Sequence, residues 1–339
     1  MPIESIRESF IHPLIDSMAG QNYWLNGCLA SLMECLGESP EYDYWFFSGV
    51  TADSFTQMFS KDPAQTVLCY SDRFTESALQ RAFAACGYSY EYIKGVRAPE
   101  GLKAYHQRIR QNIDRNIPVL TRIDDAFHSF AIICAYDNSN FYTISGEETA
   151  PTIRQFDELV FVTEKHQQPS LAEAYRSAVL DIPNLVLRPA TPGYSFGIEA
   201  FRDWAGSFLD STYDAYSDGD KIWFTHPDPA FTCWNMHGTY LCMLGTNGCA
   251  ASFLSQALAL NADLGFINDL IPIFNKLAHE GFHTLLDMEG GFGLQPKTIK
   301  NKVKMQAIAD EISKLARYSE EIVEVFTTRQ PGNECSVAQ

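Results

Sequence analysis

The sequence predicts an α+β protein in which helices followed by an antiparallel sheet make a first domain and a mostly α-helical domain follows it. Three observations predict this. An early segment, "GCLASLMECLG", places apolar residues at helical spacing and stops at a glycine. Four short β-rich runs then come in succession between turn residues: "IPVLTRI", "SFAIICAY", "NFYTIS" and "ELVFVT". Beyond "TEKHQQPSLAEA", residues 163–174, the periodic segments are long and helical. That change of texture sets the expected domains at 1–165 and 166–339, and 339 residues suffice for two domains of ordinary size.

The elements follow in order. Helix is expected from Cys28 to the stop at Gly37, with Asn26-Gly27 read as a turn dipeptide before it. "DNSN" at 137–140 closes a hairpin between two of the strands, pairing Asp137 with Asn140. In the second domain "FGIEAFRDWAGSFL", "HGTYLCMLGTNGCAASFLSQALAL", "FINDLIPIFNKLAHEGFHTLL" and "KVKMQAIADEISKLARYSEEIVEVF" are the expected helices.

Composition excludes several functions. With 46% hydrophobic and 20% charged residues the chain is globular. A net charge of −17 argues against a nucleic-acid partner, which needs a basic surface to neutralise phosphates. The one basic concentration, Arg97 to Arg122, reads as the solvated face of a helix. No apolar run approaches the roughly 18 to 20 residues that span a bilayer, and "MPIESIRESFIHPLIDSM" lacks a basic segment followed by an apolar one. A cytoplasmic protein without a membrane partner is expected. Nine cysteines, an odd number without CxxC pairing, fit reduced and mostly buried thiols.

Chemistry concentrates in the first domain. Cys28 at the start of a helix would meet free N–H groups and the positive end of the helix dipole, which lower a thiol pKa from about 8.5 toward neutrality. The Cys28 amide together with the side chain of Gln21 or Asn22 would then hold an oxyanion. The best-placed base is His128, at the head of the strand "SFAIICAY". A cysteine at a helix start facing a histidine at a strand start is the papain-like arrangement.

The stretch "NGCLASLMECLGESPEYDYWFFSGVTADSF" resembles the N-terminal domain of the butirosin biosynthesis protein H family. Cys28, Gly37, Pro40, Gly49 and Phe55 match its nucleophile and its glycine, proline and phenylalanine landmarks. That domain is similar in turn to the peptidases that trim double-glycine leader peptides. "PVLTRIDDAFHSFAIICAYDNSNFYTIS" resembles the family's histidine and return strands, with His128 matching the catalytic base, and "GIEAFRDWAGSFL" with the later helices resembles its accessory helical domain. The resemblance implies a cysteine acyltransferase or an amide or peptide hydrolase working through an acyl-enzyme, without a cofactor. Its partners would be an acyl or peptide substrate, an acyl carrier protein or an amine acceptor; Asp124 and Asp125 before His128 read as turn formers, and as a negative rim they would favour a cationic amine.

The chain departs from that pattern twice. Gly27 stands where relatives carry a histidine, and Ser145-Gly146 stands where they carry Asp-Pro, whose aspartate orients the catalytic histidine. Asp137 cannot replace it, since nine extended residues carry it roughly 30 Å from His128. With Asp137 paired to Asn140, His128 falls opposite Thr149, and Glu147 shares its face; Glu147 is therefore the expected third member.

Two other readings stay open. His279, Glu280 and His283 spell HExxH, which on a helix puts two imidazoles beside a glutamate and suits a zinc peptidase. Gly281 inside the motif weakens a helix by roughly 0.8 to 1 kcal/mol, no HExxHxxGxxH continuation follows, and Asp287 and Glu289 lie close for a third ligand. The alternative without chemistry is a binding or scaffold protein of the same fold with a decayed triad. Surplus apolar surface on the helical domain would favour a homodimer.

Overall fold

In a computed structural model of the chain, the described residues are 4–5, 13–62, 69–97, 99–123, 129–210, 237–291, 294 and 296–329. The fold is α+β, an antiparallel sheet with helices and a helical C-terminal region. Two compact units divide it: Met1–Thr51 with Phe74–Ala174, and Ala52–Arg73 with Tyr175–Gln339. The strands in chain order are β1 (Glu4–Ser5), β2 (Met58–Ser60), β3 (Tyr88–Lys94), β4 (Val119–Ile123), β5 (Phe130–Tyr136), β6 (Phe141–Ile144), β7 (Thr152–Ile153), β8 (Phe156–Lys165) and β9 (Tyr194–Phe196).

The first unit is built on a sheet of order β3-β8-β4-β5-β6-β7, with β1 also pairing β5. Every pairing is antiparallel. Residues 130–135 of β5 are all buried, which a strand shows only when both its faces are covered. Helix α1 (Trp24–Cys35) and the helix His106–Asp114 both pack on it. α1 forms because Leu25, Cys28, Leu29, Leu32 and Met33 recur at the spacing of one helix face, and all are buried. It ends as a Schellman turn: Gly37 takes φ +76°, its N–H donates to the Glu34 carbonyl, and the Glu38 N–H donates to the Met33 carbonyl. At the other end the Tyr44 hydroxyl, from α2 (Tyr44–Val50), accepts from the N–H groups of Asn22 and Tyr23 at 3.0 and 3.1 Å.

Three arginines of the 97–122 segment are engaged within this unit. Arg122 pairs with Glu158 at 3.1 Å and lies over the Phe130 ring. Arg108 pairs with Glu91 over Phe161, and Arg110 donates to the Asp137 and Asn138 carbonyls. They hold the sheet together rather than forming a bare basic face.

In the second unit the helices Gly197–Ser207, Thr239–Leu260, Ile267–Asn275 and Lys302–Arg329 carry the core. Residues 52–73 belong here, not with the flanking first-unit sequence, so the division is not a single cut after residue 165. The cause is pairing: Met58, Phe59 and Ser60 lie opposite Phe196, Ser195 and Tyr194. Buried Asp53 accepts from the Ser71 N–H and hydroxyl at 2.8 and 2.7 Å, closing the excursion. Among the described residues no helix is long and apolar enough to cross a membrane. All seven described cysteines are free thiols, five of them buried.

Candidate active site

Cys28 is the fifth residue of α1, not its first, because the helix begins at Trp24 and includes Asn26 and Gly27. In a helix the N–H of residue i donates to the carbonyl of i−4, so the Cys28 amide is committed to Trp24 and cannot serve an oxyanion. The first-turn N–H groups lie upstream, around Tyr23 to Asn26. Asn26 is no turn residue: it is fully buried, and its Oδ1 accepts from the Thr51 hydroxyl at 3.0 Å. The Cys28 side chain is 0% exposed. Burial pushes its thiol well above the ordinary cysteine range, and the residue's own backbone N–H only partly offsets that. Sealing of this kind favours the neutral thiol over the thiolate.

Trp24 stands one turn before Cys28 on the same face of α1. It lines a groove of about 350 Å³ together with Ser129, Ser145, Gly146, Glu147 and the ion-paired Glu148 and Arg154. Ser129 is the sequence neighbour of His128. His128 itself, like Asp124 and Asp125, lies outside the described residues. The Ser129 carbonyl accepts from the Ile123 N–H at 3.0 Å, so the end of β4 and the head of β5 meet beside the groove.

Ser145 to Glu148 form a tight turn where the resemblance would put Asp-Pro. Gly146 adopts φ +56°, the Glu148 N–H donates to the Ser145 carbonyl, and the Ser145 hydroxyl donates to the Phe130 carbonyl at 3.0 Å. A Cβ on Gly146 would come within 2.5 Å of the Trp24 indole nitrogen, so glycine lets this turn close on α1.

The strand alternation that would put Glu147 on the face of His128 is interrupted by a bulge. Asp137 donates to the Asn140 carbonyl as expected, but the register shifts between Ile133 and Ala135, so Ile133 lies opposite Thr143. A one-residue slip reverses every later face assignment. Glu147 is exposed, and its Oε1 accepts from the Ser17 N–H at 2.9 Å and from the Ser17 hydroxyl. Those bonds hold its carboxyl below the usual carboxylate range. Asp137 instead caps the hairpin, and hydrogen bonds from Ser139, Tyr142 and Asn140 lower it to about 2.

Of the expected oxyanion donors, Gln21 has its side-chain oxygen on the Asp16 N–H at 2.9 Å, which leaves its Nε2 as the donor. Asn22 contributes its backbone N–H to Tyr44.

The HExxH segment behaves differently from the helix its spacing predicts. His279 and Glu280 lie in a π-helical turn, Lys276–Gly281, and His283 in the helix Phe282–Asp287; all three side chains are exposed. Glu289 is engaged by Lys304 and Thr298, each at 2.7 Å. Among the described residues no group of three or more His, Cys, Asp or Glu side chains is placed to hold a metal ion, so the donor set does not fit zinc. Gly281 is buried, with Leu315 at 2.7 Å from where a Cβ would stand; it serves close helix packing.

Trp24 and Ser17 are not singled out by the sequence, and Gly146 stands out there only as a departure from the family's Asp-Pro. The first has a signal in hindsight, an aromatic four residues before the cysteine. Compared with known proteins, the chain matches no family model and no curated sequence.

Proposed function

We propose that the first unit carries out acyl chemistry on Cys28, with His128 as base and then acid. The observation that carries this reading is the shared groove: Trp24, one helical turn from Cys28, and Ser129, next to His128, line it together. The resemblance of the cysteine and histidine segments to the butirosin biosynthesis protein H family supports it. His128 takes the thiol proton, and the sulfur attacks the acyl carbonyl, forming a C–S bond and an oxyanion. The Gln21 Nε2 is the donor on offer to that oxygen. Collapse expels the amine or thiol leaving group, which takes the proton from His128. Water or an amine then gives a proton to His128 and attacks the thioester carbonyl, the C–S bond breaks, and the Cys28 sulfur regains that proton. Acyl carriers, peptides and cationic amines are the substrates of this reading, and a reducing cytoplasm suits its free thiols.

The full burial of Cys28 favours a second reading, a binding protein that uses the groove without chemistry. An electrophilic acyl probe separates the two. Catalysis requires selective labelling of Cys28, absent in Cys28→Ala and at least about tenfold slower in His128→Ala, in line with general-base contributions. Labelling spread over several cysteines and indifferent to His128 leaves the binding reading.

A further inference from the structure

Residues 14–20 pack against α1 at Gly27, the residue before Cys28. The Leu14 and Ile15 side chains are buried, and both N–H groups donate to the Gly146 carbonyl, at 2.8 and 3.3 Å. Their backbone presses on α1 one residue before Cys28: a Cβ on Gly27 would stand 1.9 Å from the Leu14 carbonyl oxygen and 2.9 Å from Ile15 Cγ2. The segment then folds into a 3-10 turn, Ser17–Ala19, whose N–H groups at Met18 and Ala19 are capped by Asp16. Gly20, at φ +84°, ends it. Ser17 is fastened to Glu147 by its N–H and its hydroxyl, and the Asp16 N–H is fastened to Gln21. At the tip, Met18 is 95% exposed.

We propose that residues 14–20 are a strap that closes over the start of α1 and keeps the Cys28 thiol sealed, with Ser17 and Glu147 as its latch. Three features support opening here rather than elsewhere. The latch is exposed and depends on one carboxylate oxygen. Opening frees the Gln21 carboxamide from Asp16, so access to the thiol and an unconstrained oxyanion donor arrive together. Met18 offers an incoming apolar group a handle on the strap itself. The strap rests on the proposed chemistry for its purpose, but its closure is measured without turnover.

The test compares alkylation of the full chain by monobromobimane at mildly alkaline pH, read residue by residue by peptide mapping, in wild type, Ser17→Ala and Glu147→Ala. Expected is faster Cys28 labelling in both variants: about tenfold in Glu147→Ala, which removes both latch bonds, and a smaller rise in Ser17→Ala, which removes only the hydroxyl's. Cys86 and Cys249, buried elsewhere, should keep their wild-type rates. Equal Cys28 rates in all three proteins overturn the strap, and so does a parallel rise at Cys86 and Cys249, which would report general loosening. Faster Cys28 alkylation with no acylation by the acyl probe upholds the strap and removes the catalytic reading instead.

Discussion

At position 27 the packing tolerates nothing larger than hydrogen. In an ordinary helix interior, glycine to alanine gains about 1 kcal/mol. Here the added carbon meets backbone, the Leu14 carbonyl, which no rotamer change can move aside. Overpacking of this kind costs about 1–3 kcal/mol, so the net effect of Gly27→Ala is a loss. We expect a lower denaturation midpoint together with faster Cys28 alkylation; a more stable protein would show that the strap yields freely. Gly146→Ala is the companion case. A left-handed conformation costs a non-glycine residue about 1–2 kcal/mol, and the new Cβ also crowds Trp24. Thermal melting should register a drop of several degrees, at about 2–4 °C per kcal/mol for a unit of this size. At this scale the sequence was legible in part. The buried thiol class and the Asp137 hairpin follow from local pattern, whereas the face of Glu147 depends on alternation across a bulge that nothing in the sequence announces.

The elements whose boundaries are set by local chemistry were the readable ones. α1 stops at Gly37 because a left-handed residue there completes a Schellman turn, and β5 is announced by an apolar run fit for a strand covered on both faces. The start of α1 is less legible because Asn26-Gly27 looks like a turn, while a buried bond from Thr51 and the close approach of Leu14 keep both residues helical. The excursion of residues 52–73 was illegible for a different reason: its three-residue ladder has a partner more than a hundred positions away. That ladder continues into Gly197, where φ is +51° and a Cβ would lie 2.0 Å from the Val186 carbonyl oxygen. Gly197→Ala should therefore destabilise by about 2–4 kcal/mol, combining conformational strain with a backbone clash. Hydrogen exchange at Phe59 and Ser195 would show the ladder opening first; unchanged protection there would contradict the assignment of 52–73 to the second unit. The π turn at Lys276–Gly281 carries the same lesson, since HExxH presupposes α-helical spacing and the chain departs from it at those residues.

Across the whole molecule, acid sensitivity follows from groups the fold keeps from protonation. His237 is fully buried, its Nδ1 accepts from the Trp204 indole N–H at 2.8 Å, and burial lowers its pKa to about 3. The unfolded chain takes up a proton near the ordinary value of about 6.5, which the folded chain refuses. Stability from this residue is thus complete above about pH 6.5 and falls below it by about 1.4 kcal/mol per pH unit, until the folded pKa is reached. Asp137 and Glu289, both held near 2, push in the same direction, but only from about pH 4 downward, where unfolded carboxylates begin to protonate. Relief of the net −17 charge works against both trends, and repulsion between exposed charges is screened by salt, so it is the weaker effect at physiological ionic strength. The window between about pH 6.5 and 5 therefore belongs to histidine, and His237 is the deeply buried one among the described residues. Urea unfolding of the second unit across this window should lose about 2 kcal/mol in wild type and stay nearly flat in His237→Gln, which keeps an acceptor for Trp204 without a titrating ring. The comparison is of slopes, so it survives a general loss of stability in the variant; parallel slopes would mean that another group controls the acid transition.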